Sequence, residues 1–398
     1  MIKEEFLSKI NKPARYIGKE FNAIYKDFDG CRVKFALCFP DLYEVGMSNL
    51  GIRIIYSLLN SIEDVVCERF FSPDKDLEKL LRQSHQELVS LESQKRLRDF
   101  DFIGFSLSYE LEYPDVLNIL DLGKIPLFSC QRDNRFPLVI AGGTCVLNPE
   151  PLWEFFDFFV FGEAEEVLLE IIDLYKEYQE DFKKGKLKKQ ELLIKFSQIR
   201  GIYVSSFYEV SYNKDGGIKK FRPKHKKVPS CIEKRTIKDL NKSHFPKNWI
   251  VPYISIIHDR PNIEIMRGCP NTCRFCQARV QYFPFRIRAP EVILDLAKEV
   301  YSSTGYEEIA LCGLSVSDYP NFGALVKELF VFFQDYKVSI SLPSLKPNAY
   351  LGEVSFLIAK VRKTTLTFAP EVGSERLRDF LGKDFNLEEF FKAISLAF

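Results

Sequence analysis

Apolar runs and amphipathic stretches alternate along the chain. Residues 31–39, Cys-Arg-Val-Lys-Phe-Ala-Leu-Cys-Phe, predict a buried strand, and a helical stretch follows over Leu50–Asn60. Residues 103–107, 138–143 and 158–162 predict three further strands, the second ending in the pair Gly142-Gly143. Residues 165–178 carry the 3.6-residue apolar spacing of an amphipathic helix. Strands alternating with helices predict an α/β, doubly wound, Rossmann-like domain over residues 1–180, with ligands beyond the carboxyl ends of its strands. Residues 202–211 and 217–221 predict a hairpin around Asn213-Lys214-Asp215-Gly216. A second β-α rhythm starts at 263. Strands are expected at 263–266, 308–312, 337–342 and 364–368, and helices at 290–302, 321–334 and 350–360. That rhythm predicts a barrel-type parallel sheet over 256–398, with every strand end on one rim.

Composition narrows the class without naming a function. The 398 residues are 46% hydrophobic and 28% charged, with a net charge of +1. These values suit a soluble protein of two or three domains and give no global attraction to nucleic acid or membrane. No apolar run reaches spanning length, and the start, Met-Ile-Lys-Glu-Glu-Phe, lacks a signal-peptide layout. Ten cysteines scattered along the chain suit reduced thiols, so a cytoplasmic location with no membrane partner is expected. Lysines crowd residues 181–238, and the span 181–255 reads as a basic linker with a small β element. An RNA surface is the rival reading, but the charges are not interleaved with a nucleic-acid motif.

The chemistry concentrates in Met-Arg-Gly-Cys-Pro-Asn-Thr-Cys-Arg-Phe-Cys, which places Cys269, Cys273 and Cys276 in a Cys-x3-Cys-x2-Cys run. Spacing of i, i+4 and i+7 also describes one face of a helix of inert core cysteines. Gly268, Pro270 and Asn271 argue for a loop instead. Zinc is a second alternative, but it favours four ligands in two pairs. Only Cys231, His258 or Cys312 stands ready as a fourth, and none has motif spacing. Three thiolates can hold three corners of a [4Fe–4S] cluster, leaving one iron open.

The run, with Phe275 before its last cysteine, resembles the signature of radical S-adenosylmethionine (SAM) enzymes. The resemblance implies that the open iron binds SAM and that a reduced cluster, fed by an electron donor, cleaves it to a 5′-deoxyadenosyl radical. It also implies SAM contacts at Gly313, Leu314 and Ser315, at Ser344, and at Glu371, Gly373, Ser374 and Arg376. The first half resembles a cobalamin-binding domain, through Asp41-x-Tyr43-x-x-Gly46, then Ser106 or Ser108, then Gly142-Gly143. That family's motif has histidine where this chain has Tyr43, so a cobalamin would bind here without histidine ligation. Residues 39–48, 104–111, 141–151 and 161–166 are together similar to one group of cobalamin-domain radical SAM proteins.

Such barrels usually have six β-α units, and four are legible counting the one that carries the cysteine run. Residues 387–398 put Leu387, Phe390, Phe391, Ile394 and Phe398 on one apolar face. The expectation is an incomplete radical SAM core, its remaining strands absent or supplied by a second chain. The functional expectation is a radical SAM enzyme of unnamed substrate, with methyl transfer or RNA modification suggested by analogy. Two other classes remain open, a non-catalytic iron–sulfur protein and a zinc-stabilised binding module.

Overall fold

The computed structural model describes residues 4–342, 346, 369–383 and 386–397. The chain divides into two compact units. One holds residues 1–237 with 244–246 and 250–257, and the other holds 238–243, 247–249 and 258–398.

The first unit is built on a six-stranded sheet. Its strands are β1 (Val33–Phe39), β2 (Val65–Phe71), β3 (Phe102–Ser106), β4 (Leu138–Gly142), β5 (Phe158–Val160) and β6 (Ile202–Tyr203). Their order is β2-β1-β3-β4-β5-β6, parallel throughout except for β6, which runs antiparallel to β5. The inner strands are buried along nearly their whole length, as in a parallel sheet covered on both faces. Helices α1 (Leu50–Asn60), α2 (Lys75–Ser84), α3 (Tyr113–Leu122) and α4 (Ala164–Lys183) supply the connections. α1 starts where the Asn49 side chain accepts a hydrogen bond from the Ile52 amide. Tyr175 of α4 packs edge-on to Phe102 at 4.7 Å and donates its hydroxyl to Asp101 at 3.0 Å. One aromatic ring thus fixes the helix to the sheet by both packing and a hydrogen bond.

Two sequence expectations change here. β2 carries Glu68 and Arg69, and the apolar pattern does not mark it as a strand. Arg69 is 1% exposed and ion-paired to Glu20 at 2.9 Å and Glu92 at 2.7 Å, so the charges are buried because they are matched. The span 202–211 is not one strand. Residues 202–203 complete the large sheet, a turn follows, and β7 (Tyr208–Tyr212) pairs antiparallel with β8 (Ile218–Pro223). Residues 181–237 fall within the first unit, joined to it by α4 and by the pairing of β6 with β5.

In the second unit, β9 (Asn262–Glu264), β12 (Glu308–Cys312) and β13 (Ser339–Ser341) form a parallel sheet in the order β13-β12-β9. The strand expected at 263–266 breaks in two. β9 stays in the parallel sheet, while β10 (Met266–Arg267) pairs antiparallel with β11 (Arg286–Ile287). Ile265 is the joint, donating its N–H to the Cys312 carbonyl at 3.0 Å and accepting from the Arg288 amide at 2.8 Å. Helices α5 (Pro290–Thr304) and α6 (Phe322–Phe333) alternate with the strands, as a β-α rhythm requires. α5 has Pro290 at its first position and Gly305 (φ +68°) as its left-handed cap. α7 (Glu375–Leu381) and α8 (Leu387–Ala397) follow. The helix expected at 350–360, the strand at 364–368 and Ser344 lie outside the described residues. Among the described residues no helix is long and apolar enough to cross a membrane.

Candidate functional site

All three cysteines of the motif lie on the loop between β10 and β11, so the short antiparallel pair pinches its base. Gly268 makes the exit from β10 possible. Its φ is +87°, and a Cβ there would sit 2.8 Å from the Tyr282 carbonyl and 2.7 Å from that of Pro284. Below the base, the Arg267 guanidinium grips both carboxylate oxygens of Glu264 at 2.9 Å. Arg288 is buried and donates to the carbonyls of Glu264 and Leu240 at 3.0 and 2.6 Å. Neither arginine is marked by the motif, and both hold the loop's two ends in place.

Cys269, Cys273 and Cys276 are each partly exposed, and Phe275 is exposed. Burial pushes the Cys273 thiol up, Lys383 pulls it down, and the neighbouring Cys269 and Cys276 add to the rise. Among the described residues no three Cys, His, Asp or Glu side chains are drawn together tightly enough to grip a metal ion. The loop gathers three soft donors without closing them. That donor set fits a cluster held at three corners better than a tetrahedral zinc site. Cys312, at the end of β12, is held up at about 11 by burial and then by Glu264, which suits a structural thiol.

The segment after β12 meets this loop directly. Gly313 lies so close to Met266 that a Cβ would fall 2.5 Å from its Cγ, so this glycine serves close approach. Leu314 is exposed and Ser315 is buried. The Ser315 hydroxyl donates to Asp318 Oδ2 at 2.7 Å, and the same oxygen accepts from Asn271 Nδ2 at 2.5 Å. Lys346 Nζ donates to Asn271 Oδ1 at 3.0 Å, and its backbone N–H donates to Ser317 Oγ at 2.7 Å.

The later candidates reach the loop from its other side. The Arg274 amide donates to the Leu381 carbonyl at 2.8 Å, and Gly382 (φ +68°) packs where a Cβ would sit 2.8 Å from the Thr272 carbonyl. Ser374 caps α7 by accepting from the Leu377 amide at 3.4 Å. Glu371 pairs with Lys383 at 3.2 Å. Gly373 is open and Arg376 exposed, whereas Arg378 is buried and donates to the Gly373 carbonyl at 3.0 Å. The arginine that shapes this turn is thus Arg378, which the motif did not single out.

A second candidate site lies in the first unit. A pocket at the strand ends is lined by Gly104, Ser106, Gly142 and Gly143, with Leu37, Ile140 and Leu168 behind them. Gly143 has φ +104°, and a Cβ there would lie 2.3 Å from the Leu107 carbonyl. Gly142 differs, since its Cβ would meet nothing nearer than Val160 at 3.9 Å. Ser108 Oγ accepts from Asn49 Nδ2 at 3.4 Å, and Asp41 accepts from the Tyr109 hydroxyl at 3.3 Å. Gly46 is pressed against Phe71. Tyr43 turns into the core, where it is 2% exposed, packs on Phe71 and donates to Glu20 at 3.0 Å. Glu112 was not foreseen. It is 1% exposed, accepts from the Ser108 amide at 2.6 Å, and burial pushes its carboxyl up to about 7.

Comparison with known proteins gives this geometry a family. Residues 51–205 match the family described as radical SAM proteins, N-terminal, and residues 263–398 match the radical SAM superfamily. The uncharacterized protein MJ0966 of Methanocaldococcus jannaschii is 28% identical over 91% of this chain, and the chain spans about two thirds of that relative, 66%. The structure of OxsB, described as a cobalamin-dependent SAM radical enzyme with aqua-cobalamin and SAM bound, aligns with a TM-score of 0.58 at 16% identity. That alignment covers 92% of this chain and 47% of OxsB. The radical SAM methyltransferase TsrM from Kitasatospora setae, with tryptophan substrate and a SAM analogue bound, aligns at 0.52 and 12% identity over 91% of this chain and 65% of its own. These likenesses carry the fold, a Rossmann-like domain with a TIM-type barrel domain. With both family models in sequence order and the cysteine loop at the start of the second, the chain carries a radical SAM domain preceded by the N-terminal domain of radical SAM proteins.

Proposed function

We propose that the chain is a radical SAM enzyme that binds a [4Fe–4S] cluster through Cys269, Cys273 and Cys276 and works in a reducing, cytoplasmic setting. The observation that carries this reading is the single loop bearing three partly exposed thiols, tied at its rim to the Gly313–Ser315 segment through Asn271 and Asp318. When bound, the cluster supplies an electron to SAM, whose cleavage yields a hydrogen-abstracting radical. The protein's own part is placement. Gly268 and the β10–β11 pair fix the loop's base, and the Asp318–Ser315 contact holds the neighbouring strand end against it. Lys383 lowers the cost of ionising Cys273 beside the other two cysteines. SAM would meet the backbone of Gly313, Leu314 and Ser315, and the α7 turn with Glu371, Gly373 and Ser374. Anaerobic reconstitution with iron and sulfide, then incubation with SAM and reductant, tests the reading. A brown protein that forms 5′-deoxyadenosine supports it. A brown protein that forms none marks a non-catalytic cluster protein, and a colourless protein with one zinc marks a binding module.

The strand-end pocket of the first unit supports a corrinoid as second cofactor, which would act as a methyl carrier. Gly142 leaves open space where a side chain would stand, and Tyr43 is committed to Glu20, so binding would proceed without a ligand from position 43. Gly142→Leu would fill the pocket without forcing the backbone, because its Cβ is accommodated. Wild-type protein is expected to retain hydroxocobalamin on gel filtration. The variant is expected to lose at least tenfold in affinity with little change in melting temperature. Equal retention by both would remove the corrinoid from this pocket.

A further inference from the structure

We infer that Asn271 is a positioning residue for the cluster loop, its amide held by Asp318 and Lys346 so that an N–H faces the sulfur of Cys269. The inference rests on the cluster reading above but concerns residues that the cysteine spacing does not mark.

An asparagine amide has a donor end and an acceptor end, and which way it points is decided by its neighbours. Here the neighbours leave one choice. Asp318 presents a carboxylate oxygen 2.5 Å from Nδ2, which only an N–H can satisfy. Lys346 presents its ammonium 3.0 Å from Oδ1, which only an oxygen can accept. An anion at one end and a cation at the other lock the amide against a flip. Its NH2 group has two hydrogens, and one goes to Asp318. Cys269 Sγ lies 3.4 Å from the same nitrogen and receives the other. Asp318 is itself fixed, since its Oδ2 also accepts from Ser315 and it sits in the short helical turn Val316–Asp318 after β12. The strand end that begins the Gly313–Ser315 segment thus orients a donor onto one of the three thiols.

Hydrogen bonds to ligand sulfurs are among the protein's means of setting a cluster's potential, and partners behind the ligands fix their orientation. A donor on a thiolate stabilises the more negative, reduced state, so it raises the potential. Removing Asn271's amide takes away that donor without changing net charge. Removing Asp318 takes away a negative charge, which by itself would raise the potential, while it also frees the amide, which would lower it. The two effects have opposite signs, so the direction of the shift reports which acts.

The experiment is an EPR-monitored redox titration of reconstituted wild type, Asn271→Ala, Asp318→Ala and the double variant, with iron counted in each. The expected result is a more negative midpoint in both single variants and a double variant no more negative than Asn271→Ala, because once the amide is gone removing Asp318 leaves only its upward charge effect. Deuterium exchange of wild type should also reveal by ENDOR an exchangeable proton coupled to the cluster, absent in Asn271→Ala. A folded Asn271→Ala protein that takes up less iron than wild type also supports the placement. An unchanged midpoint in Asn271→Ala, a rise in Asp318→Ala, or no exchangeable coupling in wild type overturns it while leaving the cluster in place. A wild-type protein that binds no iron overturns the functional reading, and this one with it.

Discussion

Single residues in this chain carry their reasons in backbone shape and charge. Gly268 is the clearest case, since a left-handed φ and two carbonyls within 3 Å of a would-be Cβ leave no room for alanine. Gly268→Ala is expected to cost about 1–3 kcal/mol. Its reconstituted iron content should fall by at least half, by thermal melting and iron assay. Glu112 makes a pH-dependent prediction. Its carboxyl is raised by burial, and Asp41 and Asp115 add to the rise against the amides of Ser108 and Tyr109. The folded protein therefore holds this proton where the unfolded chain has released it. Stability from Glu112 is full below about pH 4.5 and declines until about pH 7. Glu112→Gln should lose that decline. Urea titrations at pH 5 and 8 should show the variant gaining on wild type by about 1–3 kcal/mol at the higher pH. A gap that does not change with pH would place the proton elsewhere.

At the scale of elements, the sequence is legible where strands are purely apolar and silent where charges are matched in space. α1 spans Leu50–Asn60 and β12 spans Glu308–Cys312, both as the apolar spacing predicts. β2 was invisible because Glu68 and Arg69 interrupt it, and nothing local reveals that Glu20 and Glu92 will meet Arg69. The break at Ile265 was equally hidden, because four apolar or paired residues in a row read the same whether one sheet or two claims them. The cysteine loop could be read from its spacing. Arg288, Arg378 and Lys383 could not, since their roles depend on contacts distant in sequence. Arg69→Met is expected to destabilise the first unit by about 3–5 kcal/mol, because it strands two buried carboxylates. Replacing all three by apolar residues should restore most of that loss, as measured by chemical denaturation.

For the whole molecule, the strand-end pocket lies in the first unit and the cysteine loop in the second. Replacing Cys269, Cys273 and Cys276 by serine together should abolish iron uptake while leaving hydroxocobalamin retention within twofold of wild type. A parallel loss of both would mean that the pocket depends on the loop. The family is shared with proteins of which this chain spans only part, 66% of the relative from Methanocaldococcus jannaschii.

The contact between the Arg274 amide and the Leu381 carbonyl has a consequence for biosynthesis. The thiols leave the ribosome some hundred residues before the helix turn that braces their loop. At about 5–20 residues per second that gap lasts on the order of 5–20 s. During it the three sulfurs are translated but unbraced, open to oxidants and stray metals. Cluster delivery that waits for residue 382 would meet a finished cradle, and delivery that comes sooner would meet only a cysteine-bearing tether.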